Sequence, residues 1–190
     1  MLVIDLGCGW LKYPTTFENP NLETNDAIIG VDVCHYNNDI VASALKTPFR
    51  NEIADLVVIR EFIEHVDAVS LIREIWRILK PNGKIYITTP NSLYIFKVLR
   101  ALYGQEANPY YGHIQTFSSP EIRNLLRRNG FINIKIVYQI RISRVFSRNF
   151  ILKIIKILIT WLTDKLFSTM NRTIEATAIK DDKQKFITYV

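Results

Sequence analysis

Cysteine is scarce in this chain, which has only Cys8 and Cys34 among its 190 residues. Two thiols provide no disulfide framework, so the small secreted scaffolds that depend on several disulfides are excluded. We interpret both thiols as small apolar residues in a reducing compartment, and we expect the protein to be cytoplasmic. No secretory signal peptide is expected, because a predicted strand begins at residue 2 and Asp5 interrupts its apolar run.

Few aromatic residues lie among the basic residues that crowd the carboxyl-terminal third of the chain. The net charge is +6. The basic residues of this stretch are Arg123, Arg127, Arg128, Lys135, Arg141, Arg144, Arg148, Lys153 and Lys156. Because the bases of a nucleic acid would need aromatic side chains on which to stack, a nucleic-acid partner is disfavoured. An anionic membrane surface and an acidic substrate remain open as partners of this charge.

The chain has no apolar segment suited to crossing a bilayer. Residues 150–167 come nearest, but Lys153 and Lys156 lie among them and would cost about 5–7 kcal/mol, which offsets the apolar residues around them. As a helix, this segment has a narrow polar stripe and a wide apolar face. Three interpretations stay open: packing over a sheet edge or against a second copy in a homodimer, peripheral contact with the inner membrane surface, and a lid over a substrate.

Glycine is sparse as well, with seven in all, yet two of them directly follow the first apolar run. That run, Leu2-Val3-Ile4, leads into Asp5-Leu6-Gly7-Cys8-Gly9, and a second apolar run ends at Asp32. Such runs predict buried parallel strands, and glycines at the end of a strand let a ligand approach the backbone. An acid ending the next strand can accept both hydroxyls of a ribose. The pattern therefore predicts a nucleoside-binding site.

A third glycine, which the dinucleotide-binding fingerprint requires, is missing. Counted from Gly7, its position is occupied by Lys12. The residues that follow contain Pro14 and Pro20 and have no helical period, so no helix is expected to cap a pyrophosphate there. A nicotinamide or flavin dinucleotide is therefore disfavoured.

Strand-like and helical patterns alternate along the chain, which predicts a parallel sheet with right-handed crossovers. The predicted strands lie near 2–6, 27–32, 40–44, 55–59, 84–89, 132–139 and 173–180. One helix is predicted from Asp67 to the Pro81-Asn82-Gly83 turn, with a stripe formed by Val69, Ile72, Trp76 and Leu79. A second begins at Ser119 and ends at Gly130, with its sheet-facing side formed by Ile122, Leu125 and Leu126.

Six motifs occur in a fixed order: Asp5 to Gly9, Asp32, Lys46 to Phe49, Ala54 to Ile59, Phe62 to Val66, and Glu74 to Gly83. Together they resemble the class I S-adenosylmethionine-dependent methyltransferases of the type 11 group, over roughly residues 2–138 and a last strand at 173–180. The resemblance implies a doubly wound, Rossmann-like α/β fold with a mostly parallel seven-stranded sheet whose last strand is reversed. Residues 1–190 would form this single domain, with 141–170 as a helical insertion.

The resemblance also implies the activity and the cofactor. S-adenosylmethionine would donate its methyl group to a small-molecule or lipid-like acceptor, a reaction that requires no metal and no covalent intermediate. Asp5 would order the glycine loop, Asp32 would bind the ribose hydroxyls, and Val33 would lie against the adenine. Ser43 stands where relatives place an acid, so the adenine contact is expected from its hydroxyl and the backbone that follows it. The expected cofactor-binding residues are Asp5, Gly7, Cys8, Gly9, Asp32, Val33, Ser43 and Ala44.

Three residues are candidates for catalysis on the same resemblance. Arg60 and Glu61 follow the fourth predicted strand, where relatives place groups that face the methyl donor and the substrate. His113 precedes a Phe-Ser pair and a helix, as a substrate-side histidine does in many relatives. Each has a structural alternative: a solvated loop charge for the first two, and a histidine bonded to loop backbone for the third. Glu64 and His65 are expected to cap and orient the next helix.

A second interpretation of the whole chain is a non-catalytic methyltransferase-like scaffold. Leu11 stands where relatives often have a third glycine, with Trp10 before it, and Ser43 replaces the adenine-binding acid. The sequence therefore leaves open a subunit that binds the cofactor weakly and serves a partner protein.

Overall fold

The computed structural model describes residues 1–10, 26–36, 38–104, 112–139 and 168–182. Its strands are β1 (Leu2–Leu6), β2 (Ala27–Asp32), β3 (Ile40–Val41), β4 (Ala54–Arg60), β5 (Leu79–Pro90), β6 (Phe131–Gln139) and β7 (Thr173–Lys180). Its α-helices are α1 (Ala68–Ile78), α2 (Ile95–Leu102) and α3 (Ser119–Arg128). Two short 3-10 turns occupy Ile63–His65 and Ser168–Met170.

The strands form one seven-stranded sheet in the order β3-β2-β1-β4-β5-β7-β6. β1 pairs in parallel with β2 and with β4, and β4 pairs in parallel with β5. β7 runs antiparallel to both of its neighbours, so it alone is reversed. The predicted doubly wound α/β fold is confirmed. Because the strand order turns back between β1 and β4, the crevice that binds ligands in such sheets opens at the carboxyl ends of these strands.

β1 is central and nearly sealed from solvent, as its β-branched composition predicts for a parallel strand covered on both faces. Val3, Ile4 and Leu6 are fully buried. Asp5 lies between them, pairs in register with Gly30 and Val58, and is also fully buried. A buried carboxylate at this point is costly unless it is paired. The strand therefore delivers a charged group to the ligand-binding edge.

Helix α1 begins one residue after Asp67, whose carboxylate accepts the backbone N–H groups of Val69 and Ser70. The predicted stripe on this helix is partly wrong. Ile72 is buried, but Val69 is 41% exposed, and the other residues that enter the core are Ala68, Leu71, Ile75 and Ile78. Both Val69 and Leu71 begin apolar rows along the helix, and the sequence alone does not tell which row faces the sheet.

Helix α3 has the start that its sequence predicts. The Glu121 carboxylate accepts hydrogen bonds from both the N–H and the hydroxyl of Ser118, the residue that caps the helix. Ile122 and Leu126 are fully buried and Leu125 packs beside them, which confirms the predicted face. The helix therefore covers the end of the sheet that contains β6 and β7.

Two strands differ by several residues from their predicted extents, and one helix was not predicted. β3 is only Ile40–Val41, rather than 40–44, and Ser43 and Ala44 lie in the turn beyond it. β5 begins at Leu79 instead of 84, because the helix before it ends at Ile78. The apolar run at 95–102 forms α2, which the strand and helix patterns did not predict.

The helices of the described ranges include none with the length and apolar character needed to cross a membrane. Residues 150–167, for which three interpretations were open, lie outside the described residues, as does most of the predicted 141–170 insertion.

Candidate functional site

The glycine loop, residues 7–9, follows β1 at the crevice. The N–H groups of Gly7 and Cys8 both point to the carbonyl oxygen of Val31, at 2.8 and 3.3 Å. Gly7 has a φ of +68°, and a Cβ built on it would overlap the Phe62 ring. Gly9 has a φ of +56°, and a Cβ there would meet nothing within 4 Å. Gly7 is thus required by packing, whereas Gly9 leaves the backbone open to a ligand.

Asp32 joins the glycine loop to the turn after β2. Its Oδ2 accepts the N–H of Gly9 at 2.9 Å, and its Oδ1 accepts the N–H of Cys34 at 3.0 Å. The amide of Asn38 donates to the Asp32 carbonyl and fixes the backbone of the turn. Each carboxylate oxygen has a second lone pair, so both can still accept a hydroxyl from a ligand. Asp32 lies at the strand end where the sequence predicts a ribose ligand.

An apolar surface lies next to this carboxylate. Val33 is 65% exposed although its side chain is apolar. The rings of Trp10 and Tyr36 pack against each other with their centroids 4.6 Å apart. Ser43 is exposed, and its hydroxyl accepts the N–H of Leu45 at 3.2 Å.

The two cysteines differ in their surroundings. Neither forms a disulfide; Cys8 is buried, whereas Cys34 is exposed in the turn after β2. Burial, followed by the charges of Asp5 and Asp32, raises the pKa of the Cys8 thiol to about 11.

Arg60 and Asp5 form a buried ion pair at the centre of the crevice. The guanidinium Nη2 lies 2.7 Å from Asp5 Oδ2, and the side chains are 9% and 1% exposed. Asp5 therefore has a cationic partner from the end of β4, 55 residues away in the sequence. Arg60 is directed to the glycine-loop side, and a direct role toward the substrate stays a prediction.

A second group of polar side chains lies at the ends of β4 and β5. Glu64 is 1% exposed, its Oε2 accepts the hydroxyl of Thr89 at 3.0 Å, and its Oε1 lies 4.0 Å from His113 Nε2. The rings of His65 and His113 meet edge to face with their centroids 4.6 Å apart. We call Glu64, His65 and His113 the Glu-His-His cluster.

The expected capping role of Glu64 and His65 is wrong, because Asp67 caps α1 and both residues belong to the preceding 3-10 turn. The sequence interpretation did not include Glu64 among the site candidates. The Phe62 to Val66 motif contains it, but that motif does not reveal that Thr89 and His113 face it.

Burial shifts the pKa values of Glu64 and His113 in opposite directions. It raises the pKa of Glu64 to about 7, and the nearby charge of Glu61 adds to the rise. Burial also lowers the pKa of His113, with further lowering by the charges of His65 and Lys97. His113 is therefore neutral at physiological pH and can accept a proton.

Glu61 follows Arg60 in the chain, and its charge acts on Glu64. The φ of Glu61 is +50°, a left-handed conformation that is uncommon for a residue with a side chain, and its N–H donates to the carbonyl of Thr88 at 2.8 Å. The charge of Lys97, from α2, also acts on this region. Of the predicted catalytic candidates, the fold brings Glu61 and His113 to the same side, and it places Arg60 against Asp5.

Comparison with known proteins identifies the family. A family model of a methyltransferase domain matches residues 1–136, more than two thirds of the chain. An uncharacterized protein of Methanocaldococcus jannaschii is 30% identical over 96 residues, which are 47% of this chain and 41% of that protein. The chain thus spans less than half the length of this curated relative.

Solved structures share the fold. A SAM-dependent methyltransferase from Archaeoglobus fulgidus is similar with a TM-score of 0.64 and 20% identity, over 94% of this chain and 86% of that one. The phosphoethanolamine N-methyltransferase 2 of Haemonchus contortus, in complex with S-adenosyl-L-methionine, has a TM-score of 0.57 and 17% identity, over 96% of this chain and 49% of that one. The chain belongs to the methyltransferase-domain family, and its fold is that of the class I S-adenosylmethionine-dependent methyltransferases.

Proposed function

We propose that the chain binds S-adenosylmethionine at the ends of β1 and β2 and transfers the methyl group to a small-molecule or lipid-like acceptor. The observation that carries this proposal is the hydrogen bond between the glycine loop and Asp32. The Asp32 carboxylate accepts the N–H of Gly9 and still has lone pairs that can accept the hydroxyls of a ribose. A ribose bound there would place the rest of the cofactor over the open backbone of Gly9. The solved structure of a fold relative with S-adenosylmethionine supports this choice of ligand.

The remaining cofactor contacts follow from this placement. The exposed side chain of Val33 offers an apolar surface to the adenine next to Asp32. The Ser43 hydroxyl accepts a hydrogen bond from the N–H of Leu45. Among the described contacts it donates none, so its proton is available to an adenine nitrogen. The side chain of Ala44 is buried, so any contact of this residue with the adenine ring would come from its backbone. Asp5 would act through the glycine loop, with its charge compensated by Arg60.

Methyl transfer needs alignment and, where the acceptor atom carries a proton, the removal of that proton. The lone pair of the acceptor attacks the methyl carbon, the carbon–sulfur bond breaks with its electrons moving to sulfur, and S-adenosylhomocysteine leaves as a neutral thioether. The proton that the acceptor loses passes to a base. His113 suits this role because it is neutral and partly buried on the β4–β5 side of the crevice. Glu61 lies on the same side.

The test is calorimetric titration of the full chain with S-adenosylhomocysteine. We expect binding of the intact chain, and a loss of at least about tenfold in affinity for Asp32→Asn, since a hydrogen bond to a charged group contributes about 1.5–3 kcal/mol. Asp39→Asn is the matched control, because Asp39 also accepts a backbone N–H, from Gly30 at 2.7 Å, but lies outside the proposed ribose site.

The outcomes separate the enzyme from the scaffold interpretation. Affinity that falls in Asp32→Asn but not in Asp39→Asn supports the proposed cofactor site. A folded chain that binds no S-adenosylhomocysteine contradicts it and favours a non-catalytic subunit. Thermal unfolding of each variant shows whether a lost affinity reflects a lost fold.

A further inference from the structure

The Glu-His-His cluster has the geometry of an open metal site. One potential ligand atom from each of Glu64, His65 and His113 lies within 4.8 Å of the other two. Glu64 Oε1 and His113 Nε2 are 4.0 Å apart, which is too far for a hydrogen bond. Two atoms that bind one zinc-sized ion at about 2.0–2.2 Å each lie roughly 3–4 Å apart, so the gap suits an ion between them.

The ligands are already oriented by a second set of bonds. His65 Nδ1 lies 2.9 Å from the carbonyl oxygen of Gly112, and a carbonyl only accepts, so Nδ1 carries the proton and Nε2 presents a lone pair. Thr89 donates to Glu64 Oε2 and turns Oε1 toward His113. Metal-binding histidines and carboxylates in proteins are oriented by partners of these kinds.

Backbone contacts fix the two segments that supply the cluster. The Ile114 N–H donates to the Glu64 carbonyl at 3.0 Å, which ties the loop of His113 to the 3-10 turn. The side-chain amide of Gln115 donates to the carbonyls of Ile63 and Val66 at 3.1 and 2.5 Å. Closing the cluster around an ion therefore requires side-chain adjustment and no rearrangement of the backbone.

One buried carboxylate oxygen of the cluster, Glu64 Oε1, could be a ligand of a cation. Glu64 Oε1 is sealed from solvent and has no hydrogen-bond partner of good geometry among the described residues. The charge of Glu61 acts on the same carboxylate. A cation at this point would compensate the buried negative charge and occupy the open lone pair.

We propose that Glu64, His65 and His113 bind a divalent transition-metal ion such as zinc. Two imidazoles and one carboxylate are the ligand set of many catalytic zinc and iron sites, and three protein ligands leave a coordination position for water or substrate. Methyl transfer as such requires no metal, which is why the sequence predicts none. If the proposed function also holds, the open position lies on the acceptor side of the crevice. A bound ion would use the His113 lone pair, so Glu61 would then take the role of the base.

The experiment is calorimetric titration of the full, chelator-treated chain with zinc chloride in the absence of any nucleoside. We expect one ion per chain, with affinity reduced at least about tenfold in His65→Ala and in His113→Ala. His65 is exposed, so its variant should fold. His35 is the chain's third histidine and lies outside the cluster, which makes His35→Ala the matched control, and Cys34→Ser tests the exposed thiol.

Zinc binding that survives in His35→Ala and Cys34→Ser but falls in the two cluster variants supports the site. No binding by the folded chain, or equal loss in His35→Ala or Cys34→Ser, overturns it. Titration of His65→Ala with S-adenosylhomocysteine keeps the two proposals distinct, because the cofactor site should bind with unchanged affinity whether or not the metal site exists.

Discussion

The Arg60–Asp5 ion pair makes a quantitative prediction about stability. Replacing Arg60 with Met keeps most of the aliphatic length and removes the cation that lies 2.7 Å from a carboxylate only 1% exposed. Removal of one partner of a buried pair typically costs about 3–5 kcal/mol, because the other charge stays buried. For a chain of this size, 1 kcal/mol corresponds to about 2–4 °C in Tm, so Arg60→Met should unfold about 6–20 °C lower. Thermal unfolding followed by circular dichroism measures the shift.

A double-mutant cycle tests the reason for that loss. Asp5→Asn should also destabilise the chain, whereas Arg60→Met combined with Asp5→Asn should lose less than the sum of the two single changes. Arg73→Met is the control, because Arg73 is exposed on α1 and its replacement should change the free energy of unfolding by no more than about 0.5 kcal/mol. If Arg60→Met costs under about 1 kcal/mol and shows no coupling to Asp5, the pair does not fix Arg60 in place. The prediction that Arg60 faces the substrate would then regain weight.

Two further predictions concern a carboxylate and the thiols. Burial alone would raise the pKa of Glu74, but hydrogen bonds from Arg77 and Thr47 hold that pKa below its usual value of 4.5. The stabilisation is therefore present at neutral pH and is lost as the pH falls below that value. Glu74→Gln should be less stable than the wild type by about 1–3 kcal/mol at pH 7 in thermal unfolding, with a smaller difference at pH 3.5; an equal difference at both pH values would contradict this. At pH 8 an alkylating reagent should label exposed Cys34 and spare Cys8 until the chain is denatured, as measured by mass spectrometry, and equal labelling of both in the folded chain would refute the burial of Cys8.

The sheet could be predicted because its signals are local. β1 and β2 have the bounds that their apolar runs predict, since a buried parallel strand needs a short, nearly continuous apolar segment, and β7 also has its predicted bounds. The face of α1 could not be predicted, because Val69 and Leu71 are both apolar and only the packed structure shows that Leu71 enters the core. The length of β3 depends on its edge position, which a local pattern does not report.

The glycine-loop half and the Glu-His-His half of the site also differ in how far sequence alone predicts them. The glycine loop and Asp32 follow one another on adjacent strands, so sequence spacing was enough to predict that these two motifs lie together. Glu64 meets Thr89 from 25 residues away, and Arg60 meets Asp5 from 55 residues away. Contacts over such separations are set by strand order, and one sequence has no pattern that encodes them.

Phe62 connects these two halves physically. Its ring fills the space beside Gly7 that a Cβ would need, and it lies directly before the 3-10 turn that positions Glu64 and His65. The glycine loop and the turn are therefore packed against each other, rather than joined only through the sheet. In-line methyl transfer depends on the alignment of donor and acceptor, and small displacements of either are costly. Under the proposed function, a contact that fixes the glycine loop relative to the 3-10 turn would contribute to this alignment, and a larger residue at position 7 would displace the Phe62 ring that makes it.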